Sequence, residues 1–340
     1  MITGTKSAGI DGLDPHARSV VLPARGATIE VPSRCSTLLT FEFGRQQRPT
    51  RPGQIATGVV ALSPTDYKET WLVPGETERW MEGSVGVVLG DSYMCVHTTW
   101  DPGVGQSICH GTESVYREMI TVLSRNDFRQ LARAWNFIPE INLGEGDNER
   151  YRQFCLGRAN ALDACGVRSE DLPAATAVGV AGDCLMSVAM IATRVPATHI
   201  ENPRQLEAYN YPRQYGPRGP SFSRGTLLNS PHDGSLLLTS GTASIRGHES
   251  IHSFDAPAQI DETLTNLDRV MQEANRICGS TGAGHQDSNL YRVYLRDRAD
   301  LDGVSDRMIS HQMSSKELVF LQADICRREL GVEIEGVQYL

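Results

Sequence analysis

From Val85 onward the chain spells one order of hydrophobic patterns twice, and this duplication limits its fold more than any other feature. In the first pass, Val85-Gly86-Val87-Val88-Leu89 and Tyr93-Met94-Cys95-Val96-His97 flank Gly90-Asp91-Ser92, a hairpin by its turn chemistry. Residues 113–123 then place Val115, Met119, Ile120 and Leu123 on one helical face. Residues 148–165 predict a second helix closed by Gly166, with Phe154, Cys155, Ala159 and Leu162 at core spacing. Residues 178–180 and 184–191 read as strands around Gly182-Asp183. In the second pass, residues 236–238 form a strand that runs into Ser240-Gly241-Thr242-Ala243-Ser244. A helix over 259–278 carries Ile260, Leu264, Leu267, Val270 and Met271 on its buried stripe. Leu290–Leu295 is a strand, 301–313 a weak helix and 318–337 a closing hairpin. The closing segments 173–192 and 315–336 are alike. Two related α+β domains, each a mixed sheet with helices on one face, follow from this order.

The expected division is an irregular arm over 1–35, a first domain over 36–196, a crossover segment over 197–230 and a second domain over 231–340. A length of 340 residues suits two domains. Lys and Arg number 32 against 41 Asp and Glu, a formal charge of −9 that argues against nucleic acid or an anionic membrane as partner. No apolar run is long enough to span a bilayer. The first twelve residues hold one lysine and no apolar h-region, so a cytoplasmic protein is expected. The eight cysteines include no C-x-x-C and no spacing suited to zinc, and no Gly-rich phosphate loop occurs. No metal or organic cofactor is expected.

Neither pass of the repeat accounts for residues 202–224, where four arginines and three tyrosines stand against one acid, Glu207. Arginine and tyrosine at that density are costly to leave floppy. Planar guanidinium forks beside phenols suit bidentate capture of carboxylates. Arg204, Tyr209, Tyr211, Tyr215, Arg218 and Arg224 are therefore candidate ligand-binding residues. A seven-residue spacing puts Tyr151 and Arg158 on one face of the second helix, two turns apart.

This segment, followed by Ser240-Gly241-Thr242-Ala243-Ser244 and Gly247-His248-Glu249-Ser250, resembles the chorismatase family. So do Trp135-Asn136-Phe137-Ile138-Pro139, Tyr151-x-x-Phe154-Cys155-x-Gly157-Arg158 and Leu172-Pro173-Ala174-Ala175-Thr176-Ala177-Val178-Gly179. The likeness covers roughly residues 85 to 340. The second domain by itself is similar to the Rid (YjgF-type) superfamily, with Ser240-Gly241, then Gln259, Glu262 and Asn266 on a helix, then Val332-Glu333-Ile334-Glu335. The first 80 residues add little to either match. Rid-like domains commonly pack as threefold barrels, so a homo-oligomer is compatible with the sequence.

The resemblance implies an enzyme that releases pyruvate from chorismate without metal or organic cofactor. Such a site needs cationic forks for two carboxylates and a proton donor for the enol ether's methylene carbon. Along residues 318–326, alternation puts Phe320, Gln322, Asp324 and Cys326 on one face, and Val319, Leu321, Ala323 and Ile325 on the other. If the expected hairpin turns between Glu329 and Leu330, Cys326 faces Glu333 across it. Alone, such a Glu would be a solvated face and such a Cys core. In this context the pair suggests an acid of raised pKa beside a nucleophilic thiol. The resemblance associates a cysteine at Cys326 and a glycine at Gly241 with the branch that forms 3-hydroxybenzoate. The hydrolytic branch, which yields a dihydroxycyclohexadiene carboxylate, and a Rid-like imine hydrolase or binding protein are the alternatives.

Overall fold

Short apolar runs ahead of the repeat settle as strands. The computed structural model describes residues 22–26, 31–44, 51–65, 67–102, 107–230, 234–279, 289–315 and 317–340. Five strands come first: β1 (Leu22–Gly26), β2 (Cys35–Glu42), β3 (Gln54–Ala56), β4 (Val60–Ser63) and β5 (Lys68–Pro74). All but β4 join in a sheet of order β1-β5-β2-β3. Within the stretch expected to be an irregular arm, residues 22–26 are thus a paired strand.

The first pass of the repeat comprises β6 (Glu78–Glu82), β7 (Val85–Leu89), β8 (Tyr93–Trp100), α1 (Ile108–Arg125), β9 (Gln130–Pro139), α2 (Arg150–Ala164), β10 (Ala174–Val180) and β11 (Met186–Thr193). Ser107 caps α1 by accepting from the His110 N–H, and Gly166 follows α2 at φ +72°, a left-handed conformation that ends the helix cheaply. The second pass comprises β12 (Ala197–Ile200), β13 (Gly225–Ser230), β14 (Gly234–Thr242), the small ribbon β15 (Ile245–Arg246) and β16 (Glu249–Ser250), α3 (Ala256–Cys278), β17 (Leu290–Leu295), α4 (Leu301–Ser310), β18 (Leu318–Gln322) and β19 (Val332–Tyr339). Asp255 caps α3 and Gly279 ends it at φ +67°.

The two sheets have the same order, strand for strand: β6-β7-β8-β11-β9-β10 in the first and β12-β13-β14-β19-β17-β18 in the second, where β4 adds an outer edge. The expected α+β class and pair of related units are present. The expected closing hairpin is not. β19 runs antiparallel to both β14 and β17, while β18 lies parallel to β17 on its far side. β11, β9 and β10 repeat that arrangement. Cys326 and Glu333 are therefore not cross-strand neighbours: β17 separates their two strands, and β18 ends at Gln322.

Helices α1 and α2 cover one face of the first sheet, burying Met119, Leu123, Phe154 and Leu162 against Met94, Val96 and Met190. Helices α3 and α4 do the same for the second, with Ile260, Leu264, Val304 and Met308 against Val293, Phe320 and Ile334. The opposite faces meet in one shared core, closed on the third side by the β1-β5-β2-β3 sheet. Phe41 and Trp71 from that sheet meet Trp135 edge-on at 5.0 and 5.2 Å. Alternation along β19 turns Val332 and Ile334 toward α3 and α4, and Glu333 and Glu335 toward this interior.

Candidate active site

β10 is the seam between the two units. Its Ala174 and Ala175 N–H groups donate to Thr226 Oγ1 (2.9 Å) and Ser240 Oγ (2.8 Å) of the second unit. Farther along, Gly179 and Asp324 exchange backbone hydrogen bonds of 2.7 and 3.2 Å. A Cβ at position 179 would meet Asp324 Cβ at 2.6 Å, so this pairing requires glycine. The exchange draws the segment after β18 toward α2. A cavity of about 440 Å³ lies where α2, β10, the end of β14, the crossover segment and the post-β18 segment converge. Eight of the expected residues line it: Tyr151, Arg158, Tyr211, Tyr215, Arg224, Gly241, Cys326 and Glu333.

Glu333 is 4 % exposed, and burial pushes its carboxyl up to about 8. Neighbouring Glu335 contributes to that rise, against the lowering influence of Arg133. The β14–β19 register shifts between Thr239 and Thr242, a bulge that brings the Gly241 backbone against this carboxyl. A Cβ at position 241 would fall inside van der Waals contact of Glu333 Oε1 and within 2.8 Å of its Cδ. The Gly241 N–H donates to Thr176 Oγ1 at 3.0 Å, and Arg133 Nη2 donates to the same oxygen at 2.6 Å. Burial, and secondarily Glu333, push the Cys326 thiol well up, so the sulfur keeps its proton at neutrality. Arg296 holds the segment that carries it by donating to the carbonyls of Ile325 (3.0 Å), Arg327 (2.8 Å) and Leu330 (3.0 Å). Cys155 also lines the cavity, beside Tyr151, and burial holds its thiol up to about 12.

Three lining arginines have capacity to spare. Arg158 Nε, Arg224 Nε and Arg327 Nη2 are buried N–H groups with no hydrogen-bond partner among the described residues. A buried unsatisfied donor costs roughly 1–3 kcal/mol, more when charged, so such groups mark a place for an acceptor. Gly157 lets α2 lie against the Cys109 backbone of α1 and thereby seats Arg158, whose guanidinium stands over Tyr116 at 5.5 Å. Arg224 donates to Leu206 O and Tyr211 Oη, both at 2.9 Å. Arg327 donates to His248 O (2.9 Å) and Ser250 Oγ (3.0 Å) and stands 4.0 Å over the Tyr215 ring.

Three expected ligands lie elsewhere. Arg204 ion-pairs with Glu262 and donates to Asn266 Oδ1 at 3.3 Å. Arg218 pairs with Asp163 at 2.9 Å on the surface. Tyr209 packs against the core beneath α1 and α2. Glu262 thus holds the crossover segment, and its companions Gln259 and Asn266 hold the cavity wall. Asn266 donates to the carbonyls of Ala243 and Ile245, while Gln259 donates to Glu329 O and accepts from Gly331 N. Sequence reasoning missed Arg327, Thr176 and Cys155. Thr176 was within a quoted motif; Arg327 had no pattern to mark it, because the strand ends before it.

Comparisons with known proteins place the chain in one family. A family model for the N-terminal part of FkbO/Hyg5-like chorismatases matches residues 69–192. A 3-hydroxybenzoate synthase from Streptomyces hygroscopicus is 33 % identical over 291 residues, covering 84 % of this chain and 85 % of that protein. A chorismatase from Streptomyces rapamycinicus is 39 % identical over 232 residues, covering 67 % and 69 %. A crystal structure of a chorismatase superposes with a TM-score of 0.80 at 30 % identity, covering 94 % of this chain and 99 % of that one.

Proposed function

The chain belongs to the chorismatase family, and on that premise we propose that it converts chorismate to 3-hydroxybenzoate and pyruvate. One observation carries the reading. A single cavity combines a carboxyl group protonated up to about pH 8, a thiol, and three guanidinium groups with unpaired N–H donors. The guanidinium groups of Arg158, Arg224 and Arg327 bind the two substrate carboxylates. Tyr151, Tyr211 and Tyr215 line the ring, and Gly241 leaves room for it beside the acid. Glu333 protonates the enolpyruvyl methylene, and the ether becomes an oxocarbenium ion. The adjacent ring hydroxyl attacks the ether-bearing carbon and passes its proton to the Glu333 carboxylate, pyruvate leaves, and an epoxide remains. The Cys326 sulfur opens that epoxide at the carbon that carried the hydroxyl, breaking its C–O bond, while Glu333 protonates the released oxygen and takes the thiol proton in return. Loss of a ring proton expels the sulfur and leaves the aromatic ring. Chorismate divides into the two products without water, so atoms balance.

The reading is tested by incubating the protein with chorismate and separating the products chromatographically, for wild type and Cys326→Ala. Wild type releases pyruvate and 3-hydroxybenzoate in equal amounts. Cys326→Ala still releases pyruvate, because protonation needs no thiol, but the 3-hydroxybenzoate fraction falls. An unchanged fraction reduces Cys326 to a packing residue. A diene diol as the sole wild-type product assigns the hydrolytic reaction instead. Imine hydrolysis without any action on chorismate overturns the reading altogether.

A further inference from the structure

Behind Glu333 lies a line of buried charge that substrate capture does not require. Glu335 accepts from Arg133 Nη2 (2.6 Å) and Trp135 Nε1 (3.1 Å) and ion-pairs with Arg292 Nη1 at 2.9 Å. Arg292 also forks onto Glu69, with Nε at 3.0 Å from Oε2 and Nη2 bonded to Oε1. Glu69 accepts in addition from Tyr67 Oη and Trp71 Nε1, both at 2.9 Å. All four charged residues are 2–4 % exposed. They come from all three sheets: Glu69 from β5, Arg292 and Glu335 from β17 and β19, Arg133 from β9. Two carboxylates cancel two guanidinium groups. Such an array costs desolvation that an apolar core avoids.

We propose that the chain Glu69–Arg292–Glu335–Arg133 is a positioning device for the catalytic acid, which gives each guanidinium behind Glu333 another carboxylate and so withholds the cation that would ionise it. Through Arg133 and Thr176 the same device fixes the Gly241 backbone against the carboxyl. This rests on the reading of Glu333 as proton donor. The groups around Glu333 are Glu335 on its own strand, Arg133 on β9, Thr176 on β10, Tyr294 opposite it on β17, Tyr151 and Arg158 on α2, and Cys326 and Arg327 in the segment after β18. Arg158 and Arg327 meet the substrate's carboxylates. Arg133 is the cation that lowers the proton affinity of Glu333, and Glu335 engages it. Without a charged Glu69, Arg133 and Arg292 share one carboxylate, and the excess positive charge favours ionised Glu333.

The test is the isosteric Glu69→Gln, with Glu69→Asp as the conservative rescue. In the pH profile of pyruvate release, the alkaline limb moves down by about one pH unit or more, a tenfold change in the acid constant, while the low-pH plateau is retained. Glu69→Asp returns the limb toward wild type. Substrate-free carbon NMR of the Glu333 carboxyl, assigned with Glu333→Gln, shows the same fall in titration midpoint. A uniformly lower rate with limb and midpoint unmoved overturns the device and leaves Glu69 a scaffold residue. Where Glu69→Gln does not fold, Glu335→Gln takes its place, with the same downward shift expected and an unmoved midpoint again overturning. A wild type inert toward chorismate overturns the functional reading alone, because the substrate-free titration still decides the device.

Discussion

Glu333 holds its proton for a reason that also makes it a burden on the fold. Its carboxyl titrates at about 8 in the folded protein, against an ordinary 4.5. Between those values the folded state binds more protons than the unfolded chain, so stability falls as pH rises from about 4.5 to about 8 and then levels off. Glu333→Gln removes that dependence. Turnover falls on the order of a hundredfold or more, while thermal stability rises by an amount that grows with pH toward a few kcal/mol. Melting curves of both proteins from about pH 5 to about pH 9 check the sign; parallel curves or near-normal turnover remove Glu333 from the mechanism. The arginines give a second expectation at this scale. Arg158→Ala or Arg327→Ala unpairs a substrate carboxylate at about 1.5–3 kcal/mol, which appears as a KM raised roughly ten- to a hundredfold with a smaller change in kcat. An unchanged KM places that arginine outside the binding step. Residue type and local density marked the crossover segment, yet they could not separate Arg224 from Arg204 and Arg218. The difference lies in which carboxylates fold up beside each one, and Glu262 and Asp163 are distant in sequence.

At the level of elements, the period of each segment was legible, but its partner was legible only where a tight turn joins neighbours, as in the expected β7–β8 hairpin. Alternation sorted Val319, Leu321, Ala323 and Ile325 onto the interior face and put Glu333 and Glu335 on one side of their strand, as found. It carried no information about neighbours, and two successive strands joined by a short connection look like a hairpin unless a third is inserted between them. The duplication held the correction. The segment 173–192 is the counterpart of 315–336, and in both a strand laid down earlier occupies the central place. The glycines of the quoted motifs were legible as positions and acquire reasons only from packing: Gly157 against the Cys109 backbone, Gly179 against Asp324, Gly241 against Glu333. Gly179→Ala tests this. Its Cβ forces β10 away from Asp324, whose segment carries Cys326 and Arg327, at roughly 1–3 kcal/mol of stability. Activity assayed well below the lowered melting temperature falls as well, since Cys326 and Arg327, which line the cavity, move with the segment. A stable, fully active Gly179→Ala protein shows that the seam does not place them.

Three sheets share one interior, but only two of them belong to the repeat. The third, from residues 22–74, has strands of three to eight residues, one parallel pair and no helix among the described residues, and nothing in its sequence repeats. That is why its part in the architecture could not be read: without a repeated order, the alternation of a strand such as β2 does not say which sheet it joins. In the fold it closes the interior that two sheets would leave open. Leu39, Phe41 and Trp71 lie in the same cluster as Trp135, Tyr294 and Val337. A wall built into the shared core, rather than laid on it, unfolds with the rest. Trp71→Ala examines that consequence. Trp71 is 1 % exposed, packs edge-on against Trp135 and donates to Glu69, so its truncation leaves a cavity where the three sheets meet and costs about 3–5 kcal/mol. The loss is expected in a single denaturant transition, with far-ultraviolet circular dichroism and tryptophan fluorescence coincident and the slope unchanged. Two separated transitions, the first confined to the N-terminal sheet, show instead that this wall is a detachable layer and that the interior stands without it.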